Sequence, residues 1–127
     1  MKQFETHIDE NGIVIMTFKG SITKDAVEEL KTWAEETKTI IQRQFEKTGK
    51  KIKTTVDLTQ VTNEYDSDAI TVLSSFVKGN QPYVEKTATF GANWAIKFAE
   101  DIIIALSGRT NIKAFLTKED AIRWLNG

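Results

Sequence analysis

Helices alternating with strands behind an opening hairpin predict an α/β fold, a single domain over residues 1–127 with a mixed, mostly parallel five-stranded sheet and flanking helices. Three observations carry this. Asn11-Gly12 separates two strand-like runs at the start, three later apolar runs stop at polar or glycine punctuation, and helical periodicity fills the intervals between them. At 127 residues the chain suits one hydrophobic core and leaves no room for a second domain.

Phe4 to Ile8 and Ile13 to Phe18 flank Asp9-Glu10-Asn11-Gly12, where Asn-Gly supplies the positive backbone dihedrals of a tight hairpin turn. Alternation places His7 on the more polar strand face, as a surface residue. Thr23 is placed to cap a helix from about Lys24 to Lys47. Its Val27, Leu30, Ala34, Thr37, Ile41 and Phe45 recur at three- and four-residue steps and form one core-facing stripe. Asp25, Glu28 and Glu29 early and Arg43 and Lys47 late suit the helix dipole, and Gly49 ends the run.

A strand from Ile52 to Leu58 follows, then a polar loop, a helix from about Ser67 to Lys78 stopped by Gly79, and a strand near Thr87 to Phe90. A helix from about Asn93 to Leu106 precedes Gly108, a strand spans Asn111 to Leu116, and a last helix runs from Lys118 to Leu125 behind a Thr117/Asp120 capping pair. Right-handed crossovers join these strands in parallel. The expected core includes Ile15, Leu30, Ile41, Val56, Leu73, Phe90, Ile102 and Phe115.

Composition removes several classes of function. The 17 basic and 18 acidic residues nearly cancel, which disfavours a nucleic-acid partner. Cysteine is absent and His7 is the one histidine, so thiol chemistry and the usual zinc sets are unavailable. No apolar run approaches the roughly 20 residues of a membrane span, and the start lacks a signal-peptide core, so a cytoplasmic location is expected. Glu64, Asp66 and Asp68 alternate as calcium ligands can, but Ala69 and Ser75 stand where the calcium loop needs Gly and Glu, so no metal is expected. Thr48-Gly49-Lys50-Lys51 follows a helix instead of opening one, unlike a phosphate loop. No nucleophile and base stand at readable spacing, so the reading is non-enzymatic, with no catalytic residue and no cofactor.

Two segments are candidates for binding. Asp66-Ser67-Asp68 opens a helix, where Asp66 can act as N-cap with Ser67 and Asp68 filling the first turn, and where a phosphate on Ser67 would meet free amides. In the helix from Asn93, a wheel gathers Ala95, Phe98, Ala99, Ile102, Ala105 and Leu106 inward, with Trp94 at one margin and Ile96 and Ile103 at the other. Ile104 falls opposite, among Lys97, Glu100 and Asp101, on the expected outer side.

Thr54-Thr55-Val56-Asp57-Leu58-Thr59, a polar loop and Asp66-Ser67-Asp68-Ala69-Ile70 together resemble the core of STAS domains, the anti-sigma-factor-antagonist family. The ending is similar to the SpoIIAA-like branch, with a Phe115-bearing strand and an acidic helix closing on Ala121-Ile122-Arg123-Trp124-Leu125. The resemblance implies a bacterial regulatory module that binds a protein partner or itself through Asp66, Ser67 and Asp68, with Ser67 as the phosphorylated hydroxyl. Asp68 and Ala69 stand where the family has a second hydroxyl and Gly. The branch's relation to Sec14-type domains implies an alternative, a carrier of a lipid or apolar small molecule with peripheral membrane contact. Trp94, Phe98, Ile103 and Ile104 would form its apolar wall or contact surface.

Overall fold

The computed structural model describes residues 2–127, apart from the side chains at 63, 64, 94–96, 98 and 99. Strands β1 (Phe4–Ile8) and β2 (Val14–Ile22) pair antiparallel, with Phe4 opposite Phe18 and Ile8 opposite Val14. Their turn differs from a two-residue Asn-Gly hairpin. Among the described residues positive φ is confined to glycines, here Gly12 at 82°. The Asp9 carboxylate instead accepts from the amides of Asn11 (2.8 Å) and Ile13 (2.9 Å), which holds a wider loop closed.

Thr23 precedes a single 3-10 turn (Lys24–Ala26) and makes no side-chain cap bond, so helix α1 (Val27–Thr48) starts later than the sequence suggests. The expected stripe is buried from Val27 to Ile41, and Trp33 joins it. The Trp33 indole N–H donates to the Thr6 hydroxyl at 2.8 Å, and Thr6 and Thr37 share a 2.8 Å hydrogen bond, so β1 and α1 meet through satisfied polar groups. Gly49, at φ 70°, caps α1 by donating to the Phe45 carbonyl at 2.8 Å.

Strands β3 (Ile52–Tyr65), β4 (Val84–Phe90) and β5 (Ile112–Phe115) follow in parallel, giving the sheet order β1-β2-β3-β4-β5. Helices α2 (Ser67–Gly79), α3 (Trp94–Ser107) and α4 (Lys118–Asn126) complete the fold. On one face, α1 and α2 cover Val14, Met16 and Phe18, where Trp33 packs against Phe4, Phe18 and Phe76 at centroid distances of 4.9–6.2 Å. Helix α4 covers the other face, burying Ala121 and Leu125 against Ile13, Ala88 and Phe90. Thr117 caps α4 by accepting from the Asp120 amide at 3.2 Å.

The stretch expected as a polar loop after Leu58 is strand. It pairs with the far half of β2, Gln60 beside Lys19 and Tyr65 beside Ile22, after an irregularity that follows the Asp57–Thr17 pair. Asp57 holds that irregularity, its carboxylate accepting from the Thr59 amide (2.9 Å) and hydroxyl (2.6 Å). Of the expected core, Leu30, Ile41 and Phe90 are buried, whereas Ile15, Val56, Leu73, Ile102 and Phe115 are half-buried. The exposure of Ile15 and Phe115 has a simple cause, since one nine-residue helix covers their side of the sheet.

Candidate functional site

The N-terminus of α2 lies at the end of the longest strand. Asp66 follows β3 directly, donating its amide to the Ile22 carbonyl at 2.7 Å and accepting from the Asp68 amide at 2.8 Å through its own carboxylate. That is an N-cap, and it fixes where the helix begins. Ser67 and Asp68 are exposed, and among the described residues the Ser67 hydroxyl has no partner. The two carboxylates and the hydroxyl thus form one solvent-facing corner. Elsewhere along β3, Gly91 fixes the link from β4 to α3 against Thr59. Its φ is 82°, and a Cβ there would collide with Thr59 Cγ2 and stand 3.0 Å from the Thr59 amide nitrogen.

A second feature lies beneath α2 and α3. A cavity of about 100 Å³ opens between these helices and the sheet. Met16, Phe18, Val56 and Leu58 form its floor, Ala69, Leu73 and Val77 its α2 wall, and Ile103 and Ile104 its α3 wall. Val56 and Leu73 are only half-buried because they border this space. Trp94 and Phe98, the other expected wall residues, fall outside the described side chains.

The orientation of α3 corrects the helical-wheel expectation. Ile104 was expected outward with Glu100, but both line the cavity, while Ala105 and Leu106 are exposed. Glu100 is 7% exposed, and among the described residues neither of its carboxylate oxygens accepts a hydrogen bond. Lys97 approaches Glu100 Oε1 only to 3.8 Å, because its ammonium donates to Asp101 at 2.6 Å. Burial pushes the Glu100 carboxyl above the ordinary carboxylate range, offset in part by Thr89 and Lys97. The Thr89 hydroxyl beside it is also buried, and it is the neighbouring group placed to donate toward that carboxylate. Its sequence signal was spacing: Glu100 precedes Ile103 and Ile104 by three and four residues, so all three share a helix face.

Arg109, which no sequence pattern marked, fastens the neighbouring corner. Its guanidinium donates to Asn111 Oδ1 (2.9 Å) and the Thr87 hydroxyl (2.9 Å) and reaches the Val77 carbonyl at 3.5 Å, tying α2 to β4 and β5. Thr87 in turn shares a 2.7 Å hydrogen bond with Thr54. Burial lowers the Arg109 pKa to about 10, which leaves it charged at neutral pH. Its role is structural, since those bonds occupy it inside the fold.

No helix among the described residues is long and apolar enough to cross a membrane. No protein-family model and no curated protein matches the chain. Its fold does match solved structures along almost its whole length. The anti-sigma factor antagonist SpoIIAA in its unphosphorylated form is 13% identical, with a TM-score of 0.64 over 98% of each chain. A candidate anti-sigma factor antagonist from Thermotoga maritima is 16% identical, with a TM-score of 0.64 over 98% of this chain and 95% of the other. An uncharacterised Shewanella loihica protein with a SpoIIAA-like fold is 14% identical, with a TM-score of 0.62 over 96% and 91%. The five-stranded mixed sheet with four helices is therefore the SpoIIAA/STAS fold.

Proposed function

We propose that this chain is a non-enzymatic STAS-type regulatory module of a bacterial cytoplasm, binding a protein partner through the start of α2 and gated by phosphate on Ser67. The observation that carries this reading is the exposed, unengaged Ser67 hydroxyl in the first turn of a capped helix, on the fold shared with the antagonist SpoIIAA. A phosphate there would meet the amides of the first turn and add about two negative charges beside Asp66 and Asp68. The corner would then change charge without any change in the core, so a partner with a complementary basic surface would bind one form better than the other.

The test compares Ser67→Ala and Ser67→Asp for affinity toward the partner recovered with the native protein, alongside phosphopeptide mapping from its host. Phosphate at Ser67, at least tenfold weaker binding by Ser67→Asp, and unchanged melting temperatures are the expected results. Absence of the phosphate in every growth condition, together with equal affinities, ends this reading.

A further inference from the structure

We propose that the stretch of α3 from Glu100 to Leu106 is a lid over the apolar cavity, closed while Glu100 holds a proton and released when Glu100 ionises. The lid closes over a space instead of a filled core. Ile103 and Ile104 face about 100 Å³ shared with Leu73 and Val77 of α2, so this side of the helix gains less packing than a filled interface would give. Its polar ties to the sheet are few. Among the described side chains of α3, Lys97 donates to Asp101 at 2.6 Å and the Ser107 hydroxyl to the Ile104 carbonyl at 2.7 Å, both within the helix. Thr89 is the group of the sheet placed to donate toward Glu100. Beyond the lid, Ser107 accepts from the Arg109 amide at 3.2 Å, and Arg109 is fastened to Thr87 and Val77. Between them Gly108 turns the chain at φ 72°, with open space where a side chain would stand, so a turning point lies next to a fixed anchor.

Glu100 is the trigger. At 7% exposure its neutral form is tolerated, but an ionised carboxylate there has Thr89 beside it and no cation in contact, since Lys97 is held by Asp101 and stays 3.8 Å away. The other groups around it offer no more. Asp101 repels the charge, the α2 wall of Ala69, Leu73 and Val77 carries none, Tyr65 of β3 borders the cavity, and Arg109 is committed to Thr87. Water is the cheapest place for that charge, and lifting the last turns of one helix reaches it without disturbing α1 or α4. Because burial raises the Glu100 pKa above 4.5 in the closed form, the open population grows as pH rises from 4.5 to that raised value and then holds.

The lid is separate from Ser67, which is exposed at the start of α2, so the two readings fail independently. The chain has no cysteine, so a single introduced thiol reports exposure at its own position. Ile104→Cys tests the cavity side of the lid, Leu106→Cys a site already 61% exposed, and Ala34→Cys the buried face of α1. Each full-length variant is reacted with a methanethiosulfonate reagent from about pH 5 to about pH 8, and dividing by the Leu106→Cys rate removes ordinary thiolate ionisation. The Ile104→Cys ratio should rise at least about fivefold across this range, the Ala34→Cys ratio should stay flat, and adding Glu100→Gln should abolish the rise. Should Glu100→Gln not fold, amide hydrogen exchange of the unaltered chain decides the matter: after correction for intrinsic rates, protection from Glu100 to Leu106 should fall with pH while that of α1 holds. A flat Ile104→Cys ratio, a rise that survives Glu100→Gln, an Ala34→Cys ratio that rises in step, or α3 protection that does not change with pH overturns the proposal.

Discussion

Gly91 shows how one residue holds the link between β4 and α3 in place. Its positive φ of 82° and the 3.0 Å approach to the Thr59 backbone leave no conformation in which a side chain fits without moving β3. Gly91→Ala is therefore expected to cost about 2–4 kcal/mol, combining an unfavourable backbone region with overpacking. Urea denaturation of the two proteins measures it, and a loss below about 1 kcal/mol would show that the Thr59 backbone yields easily. Asp57 is the partner in this arrangement, since its two bonds to Thr59 keep that backbone where Gly91 meets it. At this scale the sequence was informative where chemistry is local. Asp66 as an N-cap needs only its own helix start, and that reading agrees with the 2.8 Å bond to the Asp68 amide. Arg109 was not legible, because a charged residue next to exposed-looking neighbours gives no local sign that tertiary packing will enclose it, and the spacing of Glu100 to Ile103 and Ile104 shows that they share a face without showing that the face turns inward.

Helix α3 carries the clearest case at the scale of an element. Ile102, Ile103 and Ile104 are consecutive and spread over about 200° of the wheel, so the face gathered around Ile102 competes with one around Ile103 and Ile104. Packing makes the choice: Ile103 and Ile104 fill the interval beside α2, Glu100 is carried inward with them, and Leu106 is left 61% exposed. Leu106→Lys should then change stability by no more than about 0.5 kcal/mol, whereas Ile104→Glu places a second carboxylate beside Glu100 and should cost about 2 kcal/mol or more. Thermal melts of both variants check the orientation, and the reverse ranking would turn the helix over. Strand β3 was under-read for a related reason. Past Leu58, polar Thr59, Gln60 and Thr62 resemble a loop, yet pairing with Lys19 to Ile22 needs only backbone groups, with Val61 and Tyr65 to pack.

Across the whole molecule, the element order determines much of the topology, because right-handed crossovers between successive parallel strands leave few arrangements of five strands. That is why the fold was legible at 13–16% identity to its solved counterparts while the cavity was not, since the cavity depends on how far two layers fail to close. The incomplete closure has a thermodynamic consequence through Glu100. Its ordinary value is 4.5 and burial raises it in the folded state, so folding favours the protonated form. The sign follows directly: the stability that the protonated carboxyl contributes is fully present below 4.5 and is lost as pH rises through the raised folded value. The charges acting on it are Lys97, which opposes the shift, and Asp101, which adds to it; Tyr65 also borders the cavity, and Arg109, bonded to Thr87 farther along β4, stays charged throughout this range. Gln is permanently neutral, so Glu100→Gln and the unaltered protein should melt alike below pH 4.5, with the variant the more stable above it, by a gap that opens as pH rises through the raised folded value and then holds. Melting temperatures of the two proteins at closely spaced pH values test this. A gap that stays constant, or one that narrows with rising pH, would mean that water or a cation already satisfies the Glu100 carboxylate inside the fold.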